Sequence, residues 1–179
     1  MEYTKNHYYT LDEFEKIQSS SDYKVEYFNG EIVLHSKTSV RHNEIVLNIV
    51  TCLKNYFKQS KCKVYSEQIE VLFHNDIDTI NVFPDVFVAC EDSVKKGESF
   101  ISAPKIIFEI VSENYSGNDY IKKLKLYQKY GVMEYVIVEQ SGEIIQYFLS
   151  DGLFKATDNA YYKSKIFSNL EINLEDMFE

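Results

Sequence analysis

The segment "KIIFEIV", residues 105–111, constrains the fold most. Ile106, Ile107, Phe108, Ile110 and Val111 form an unbroken apolar run, the pattern of a central strand covered on both faces. Glu109 stands in its middle. An ionised carboxylate buried alone costs several kcal/mol even after relaxation, so it must be protonated, paired or bound to a cation. Taken alone, Glu109 is read equally well as a salt-bridged or strand-end acid and as part of a site.

The rest of the chain supplies layers for such a strand. Thr10 and Glu13 in "TLDEFEKI" have capping-box spacing, predicting a short first helix. "YKVEYFNGEIVLH" reads as two strands joined at Asn29-Gly30, a strong hairpin signal. From Arg41 to about Lys58 the residues Ile45, Val46, Ile49, Val50, Leu53, Tyr56 and Phe57 recur at helical spacing, with His42 in the same stripe. "KVYSEQIEVLF" reads as one strand, "FPDVFVAC" as another, and 92–104 as a loop. A helix over 119–130 ends at Gly131, and "EYVIVEQ" is a further strand. The tail suggests a β-meander with turns near Asp151-Gly152 and Asp158-Asn159. The expectation is one α/β (α+β) domain over residues 1–179: a mixed central sheet flanked by helices, with an N-terminal helix-hairpin and a C-terminal β-meander.

Composition narrows the classes. No apolar run approaches the roughly 20 residues of a membrane span, and "MEYTKNHYYT" lacks the layout of a secretory signal. Cys52, Cys62 and Cys90 are odd in number without CxxC spacing, which favours reduced, mostly buried thiols and a cytoplasmic protein over disulfides or a zinc site. The 28 acids against 19 Lys and Arg give a net charge of −9, so attraction to nucleic acid requires a local basic patch. Residues 54–63 and 122–129 are the lysine-rich stretches, each also explained as a solvated helix face.

Asp85 follows Pro84 at the start of an apolar strand, 24 residues before Glu109. Two carboxylates sharing a site repel each other, and a hard divalent cation such as Mg²⁺ resolves the conflict. On the 119–130 helix, Tyr120, Ile121, Leu124 and Tyr127 define an apolar face, and Lys122, Lys125 and Lys129 the wet one. Lys123 turns toward the flank of the apolar face. There it can neutralise a strand acid, or orient a water nucleophile and stabilise charge developing in phosphoryl transfer; it is read equally well as a snorkelling lysine paired with Asp119 at i, i+4. Glu26 alternates onto one face with Lys24 and Phe28, as a near-core or a paired surface acid. His42 is either a hydrogen-bonded core residue or a phosphate contact at a helix N-terminus.

The order "VEYFNGEI … RHNEIV … FPDVFV … APKIIFEIVSEN … DYIKKLKLYQKYGVMEYVIVE" resembles the Uma-type restriction endonuclease family of the PD-(D/E)XK nuclease superfamily, from about Thr10 to Phe178. The resemblance implies a restriction-endonuclease-like fold and Mg²⁺-dependent (or Mn²⁺-dependent) cleavage of phosphodiester bonds, with nucleic acid, in the first instance DNA, as partner. It assigns Asp85 and Glu109, with the Ile110 carbonyl, as metal ligands. It makes Lys123 the catalytic lysine, Glu26 a further acid, and His42 and Asp119 accessory groups. The superfamily's lysine normally stands two residues after the strand acid, where this chain has Val111. Ser112-Glu113 and Glu139-Gln140 depart from the family's usual Ser-Pro and Asp-Pro. The competing reading is a non-catalytic nucleic-acid- or protein-binding module on the same fold. In it Tyr147, Phe148, Phe154, Tyr161 and Tyr162 offer an apolar surface for a homodimer.

Overall fold

The structure is a computed structural model and describes residues 7–21, 23–35, 38–111 and 117–179, leaving aside the side chains of 117–119. In chain order it contains α1 (Leu11–Ser20), β1 (Val25–Phe28), β2 (Glu31–Leu34) and α2 (Val40–Tyr56), the last extended by a 3-10 turn at Phe57–Gln59. There follow β3 (Lys63–Ser66), β4 (Val71–His74), β5 (Thr79–Val82), β6 (Val86–Ala89), β7 (Lys95–Lys96), β8 (Ser99–Phe100) and β9 (Ile106–Val111). The remainder is α3 (Gly117–Tyr130), β10 (Glu134–Glu139), β11 (Ile144–Ser150), β12 (Leu153–Ala156), β13 (Tyr162–Lys163), β14 (Glu171–Ile172) and α4 (Leu174–Phe178).

The core sheet has the order β12-β11-β10-β9-β6-β3. Strands β9 and β10 are parallel and joined through α3; the other pairs are antiparallel. All six residues of β9 are buried, as the unbroken apolar run demands. Period-2 alternation divides them between two cores. Ile106, Phe108 and Ile110 pack against the α2 stripe of Ile45, Ile49 and Leu53. Ile107 and Val111 face Val71, Phe73, Val82, Leu126 and Tyr127. Glu109 alternates with this second set and so points toward α3.

A second six-stranded sheet, β2-β1-β5-β4-β8-β7, covers that face. Its edge hairpin closes at Asn29 (φ 50°) and Gly30 (φ 98°), pairing Phe28 with Glu31 as the Asn-Gly signal requires. Helix α1 starts with the expected capping box, Thr10 and Glu13 bonding reciprocally, and buries Phe14 and Ile17 against Val25, Tyr27 and Ile32. The mixed sheet, its flanking helices, the N-terminal helix-hairpin and the β10–β11–β12 meander all follow the sequence reading. The second large sheet is an addition that local pattern did not announce.

Several local expectations are corrected. "KVYSEQIEVLF" is two strands in different sheets: the chain breaks at Glu67 (φ 43°), whose N–H donates to the Pro84 and Asp85 carbonyls, each at 3.2 Å. Cys62 and Cys90 are joined in a disulfide, not reduced; Cys52 is the free thiol. Cysteine spacing could not show this, because the β3–β6 ladder pairs Lys63 with Ala89 and sets Cys62 beside Cys90 one step further on. Ile121 is 48% exposed, while Lys123, Leu126 and Tyr127 form the buried face of α3. Tyr162 of the supposed docking surface is fully buried against Phe108. Within 92–104, β7 and β8 form a small hairpin, and the tail after Asp158 runs into the β13–β14 pair and α4. Short elements of this kind leave little periodicity to read.

Candidate active site

Three carboxylates meet where the two sheets and α3 converge. Val86 pairs with Phe108, so the next step along the ladder sets Asp85 opposite Glu109. Both occupy the face turned toward the second sheet. Glu26 arrives from β1, fully buried, and Lys123 from α3, 2% exposed.

Lys123 holds the centre. Its Nζ lies 3.0 Å from Glu109 Oε1 and 3.2 Å from Glu26 Oε1. The Tyr127 hydroxyl, one turn further along α3, donates to the same Glu109 oxygen at 2.7 Å. Glu26 also accepts the Phe83 N–H at 3.0 Å, and its other oxygen lies 2.8 Å from His35 Nε2. Asp85 accepts the Ile110 N–H at 2.8 Å on one oxygen and the Lys24 ammonium at 3.1 Å on the other. Each buried acid thus has donors around it, which is what makes burial tolerable.

The surroundings separate the acids electrically. Burial pushes the Glu109 carboxyl above the ordinary carboxylate range; Lys123 opposes this without overcoming it, while the Asp85 charge adds to it. Glu26 is also desolvated, but Lys123, His35 and Lys24 outweigh that and hold it well below the range. Asp85 is lowered against its own desolvation by Lys24, His42 and Lys123. Asp85 raises Lys24 in return, against the desolvation of that ammonium. Burial beside Glu109 drives the Tyr127 hydroxyl far up, so it remains a donor.

His42 is buried where the helical stripe put it, on the first turn of α2, with its backbone N–H on the Ser39 cap. Its Nε2 lies 3.4 Å from Glu67 Oε1 and 3.7 Å from Asp85 Oδ1, an ion-pair approach that completes no hydrogen bond. Ile110 contributes its N–H to Asp85. Ser112, Glu113 and the Asp119 side chain lie outside the described residues.

The structure therefore brings together Asp85, Glu109, Lys123, Glu26 and His42. Lys24, His35, Glu67 and Tyr127 belong to the same cluster and were not read as site residues. The alternation that shared Lys24 with Glu26, and the position of Tyr127 one turn after Lys123, were the available signals for two of them. Nothing local marked His35 or Glu67.

Known proteins share this fold. A crystal structure of "a putative nuclease belonging to DUF820" from Anabaena variabilis superposes with a TM-score of 0.76 at 20% identity, covering 95% of this chain and 97% of that one. The fold is thus that of restriction-endonuclease-like proteins, as the resemblance implied. The Uma2 family, described as "Putative restriction endonuclease", matches residues 11–174, and the chain belongs to it. An uncharacterized protein of Synechocystis sp. is 27% identical over 131 residues, spanning 72% of this chain and 67% of that protein. Among the described residues no helix is long and apolar enough to cross a membrane.

Proposed function

We propose that the chain is a metal-dependent endonuclease that hydrolyses phosphodiester bonds, with DNA as substrate. One observation carries the reading: a buried lysine, Lys123, is fixed between Glu109 and Glu26 while Asp85 stands just before the adjoining strand β6. A structural salt bridge needs one acid; this cluster concentrates three around two ammonium groups. Membership of the Uma2 family, with its description "Putative restriction endonuclease", supports the same reading.

The donor set fits a hard divalent cation. Asp85 and Glu109 offer carboxylate oxygens of the kind that hold Mg²⁺ or Mn²⁺, with the Ile110 carbonyl as the expected third donor. The Ile110 N–H already fixes one Asp85 oxygen. A bound ion of this type activates water and neutralises charge on the phosphate. The protein's own part is positioning. Tyr127 donates to the Glu109 carboxylate, Glu26 holds the Lys123 ammonium from the other side, and Lys123 would orient the attacking water and stabilise charge developing on the phosphate. With the chain at −9 overall, DNA is drawn in by local lysines, so cleavage should weaken steeply with salt.

The test is nicking of supercoiled DNA with Mg²⁺ or Mn²⁺ by the wild type, Asp85→Ala and Lys123→Ala. Cleavage by the wild type alone supports the reading. A wild type inert under all metals, or full activity in both variants, overturns it and leaves a binding module on the same fold.

A further inference from the structure

His42 and Glu67 are absorbed neither by the carboxylate pair nor by the core. Glu67 is the more informative. It adopts a left-handed backbone (φ 43°) at the break between β3 and β4, a conformation that costs a non-glycine residue of order 1 kcal/mol or more and persists only where its surroundings impose it. Here two backbone hydrogen bonds to Pro84 and Asp85 impose it, and they set the Glu67 carboxylate beside Asp85. From the other side, α2 delivers a histidine that is 7% exposed and whose Nε2 has no hydrogen-bond partner. A buried imidazole nitrogen left unsatisfied between two carboxylates needs a reason.

The distances supply one. Two atoms each about 2.1 Å from a common ion are about 3.0 Å apart at a right angle and about 3.4 Å apart at the tetrahedral angle. His42 Nε2 stands 3.4 Å from Glu67 Oε1 and 3.7 Å from Asp85 Oδ1, and one ligand atom from each residue lies within 4.8 Å of the others. Of the three residues Glu67 lines a cleft open to solvent, together with Gln18, Tyr23, Lys24 and Gln68.

We infer that His42, Glu67 and Asp85 form a binding site for a divalent transition metal, sharing Asp85 with the Asp85–Glu109 pair. Its donor set, one imidazole and two carboxylates, selects ions of the Mn²⁺ to Zn²⁺ series over Mg²⁺, which takes oxygen ligands and keeps its waters. The site shares an acid with the proposed nuclease centre but does not depend on DNA cleavage.

The experiment is titration of the metal-stripped full chain with Co²⁺, read by visible absorption and calorimetry, for the wild type, His42→Gln, Glu67→Gln and Glu109→Gln. The expected result is Co²⁺ binding by the wild type that Zn²⁺ or Mn²⁺ displaces and millimolar Mg²⁺ does not. His42→Gln and Glu67→Gln should each weaken it by at least about tenfold, and Glu109→Gln should retain it. Should His42→Gln fail to fold, Glu67→Gln at its half-buried position on the cleft carries the comparison. No Co²⁺ binding by the wild type overturns the inference. So does wild-type affinity in the folded variants of His42 and Glu67, or loss in Glu109→Gln as large as in Glu67→Gln. Because binding is the readout, a chain that cuts no DNA leaves this result standing.

Discussion

Replacing Lys123 by methionine separates the two acids that share it. Its ammonium lies 3.0 Å from Glu109 and 3.2 Å from Glu26, with all three side chains at least 95% buried. At those separations each attraction amounts to about 5 kcal/mol for an effective dielectric near 20. Desolvation of the ammonium, which methionine avoids, offsets much of this, so the net loss at neutral pH should be about 3–5 kcal/mol. For a chain of this size that lowers the melting temperature by roughly 6–20 °C. The penalty should also depend on pH. Glu109 already titrates above its ordinary 4.5, and without Lys123 it rises further. A carboxyl whose folded pKa exceeds its unfolded one contributes stability below the unfolded pKa and loses it as pH climbs through the folded one. The variant should therefore fall furthest behind wild type near pH 8 and recover toward pH 5, and Glu109→Gln added to Lys123→Met should restore part of the stability. Urea unfolding of the three proteins across that range is the assay. A penalty flat in pH, or a double variant no more stable than Lys123→Met, would refute the reasoning.

Lys24→Met removes the ammonium 3.1 Å from Asp85 Oδ1; the metal-free melting temperature should fall, while the rise on adding Mn²⁺ should exceed that of wild type, both read by thermal melts. Gly30→Ala places a Cβ at φ 98° and 2.9 Å from Tyr8 Cδ1. The exposed Tyr8 ring can give way but the backbone cannot, so a loss of about 1–2 kcal/mol should appear in the urea midpoint. Asp78 is held at about 2, against an ordinary 3.8, chiefly by the Lys129 ammonium and then the Tyr130 hydroxyl. Its contribution is therefore present above about pH 4 and lost as pH falls toward 2. Because Lys129 is half exposed, Asp78→Asn should cost only about 1 kcal/mol at pH 7, and the two stability curves should converge at the acid end.

What was legible followed from local rules. The Asn29-Gly30 turn, the Thr10 capping box, the α2 stripe carrying His42 and the β9 run around Glu109 each need only a few neighbours to specify, and each formed as read. The rotation of α3 was half legible. A wheel drawn on hydrophobicity set Lys123 at the flank and Ile121 inside. The protein instead turns Lys123 fully inward, because two buried carboxylates reward it there, and leaves Ile121 in water. Glu67 was invisible for a related reason. "KVYSEQIEVLF" alternates well enough to pass for one strand, and its break is imposed by carbonyls from the Pro84–Asp85 segment, distant in sequence. Pairings such as Lys24 with Asp85 and Cys62 with Cys90 are products of sheet registry, which a single sequence does not display.

The two lysines of the site are not equivalent, and the difference gives the site a direction. Lys123 has 3% of its side-chain surface exposed and is enclosed by Glu26, Glu109 and the strands behind them. Lys24 has 21% exposed and lines the solvent cleft beside Glu67. A side chain with a flexible stem and a route to water can move its charge away at modest cost, whereas an enclosed one cannot. On the proposed reading, a divalent cation would displace Lys24 at Asp85 rather than Lys123 at Glu109, and would compensate the Asp85 charge as it did so. The Asp85 oxygen that Lys24 holds is Oδ1, the one that faces His42. On that reading the fixed ammonium would remain at the Glu109 end to meet a phosphate, while the exchangeable one would mark the side of entry for metal and substrate.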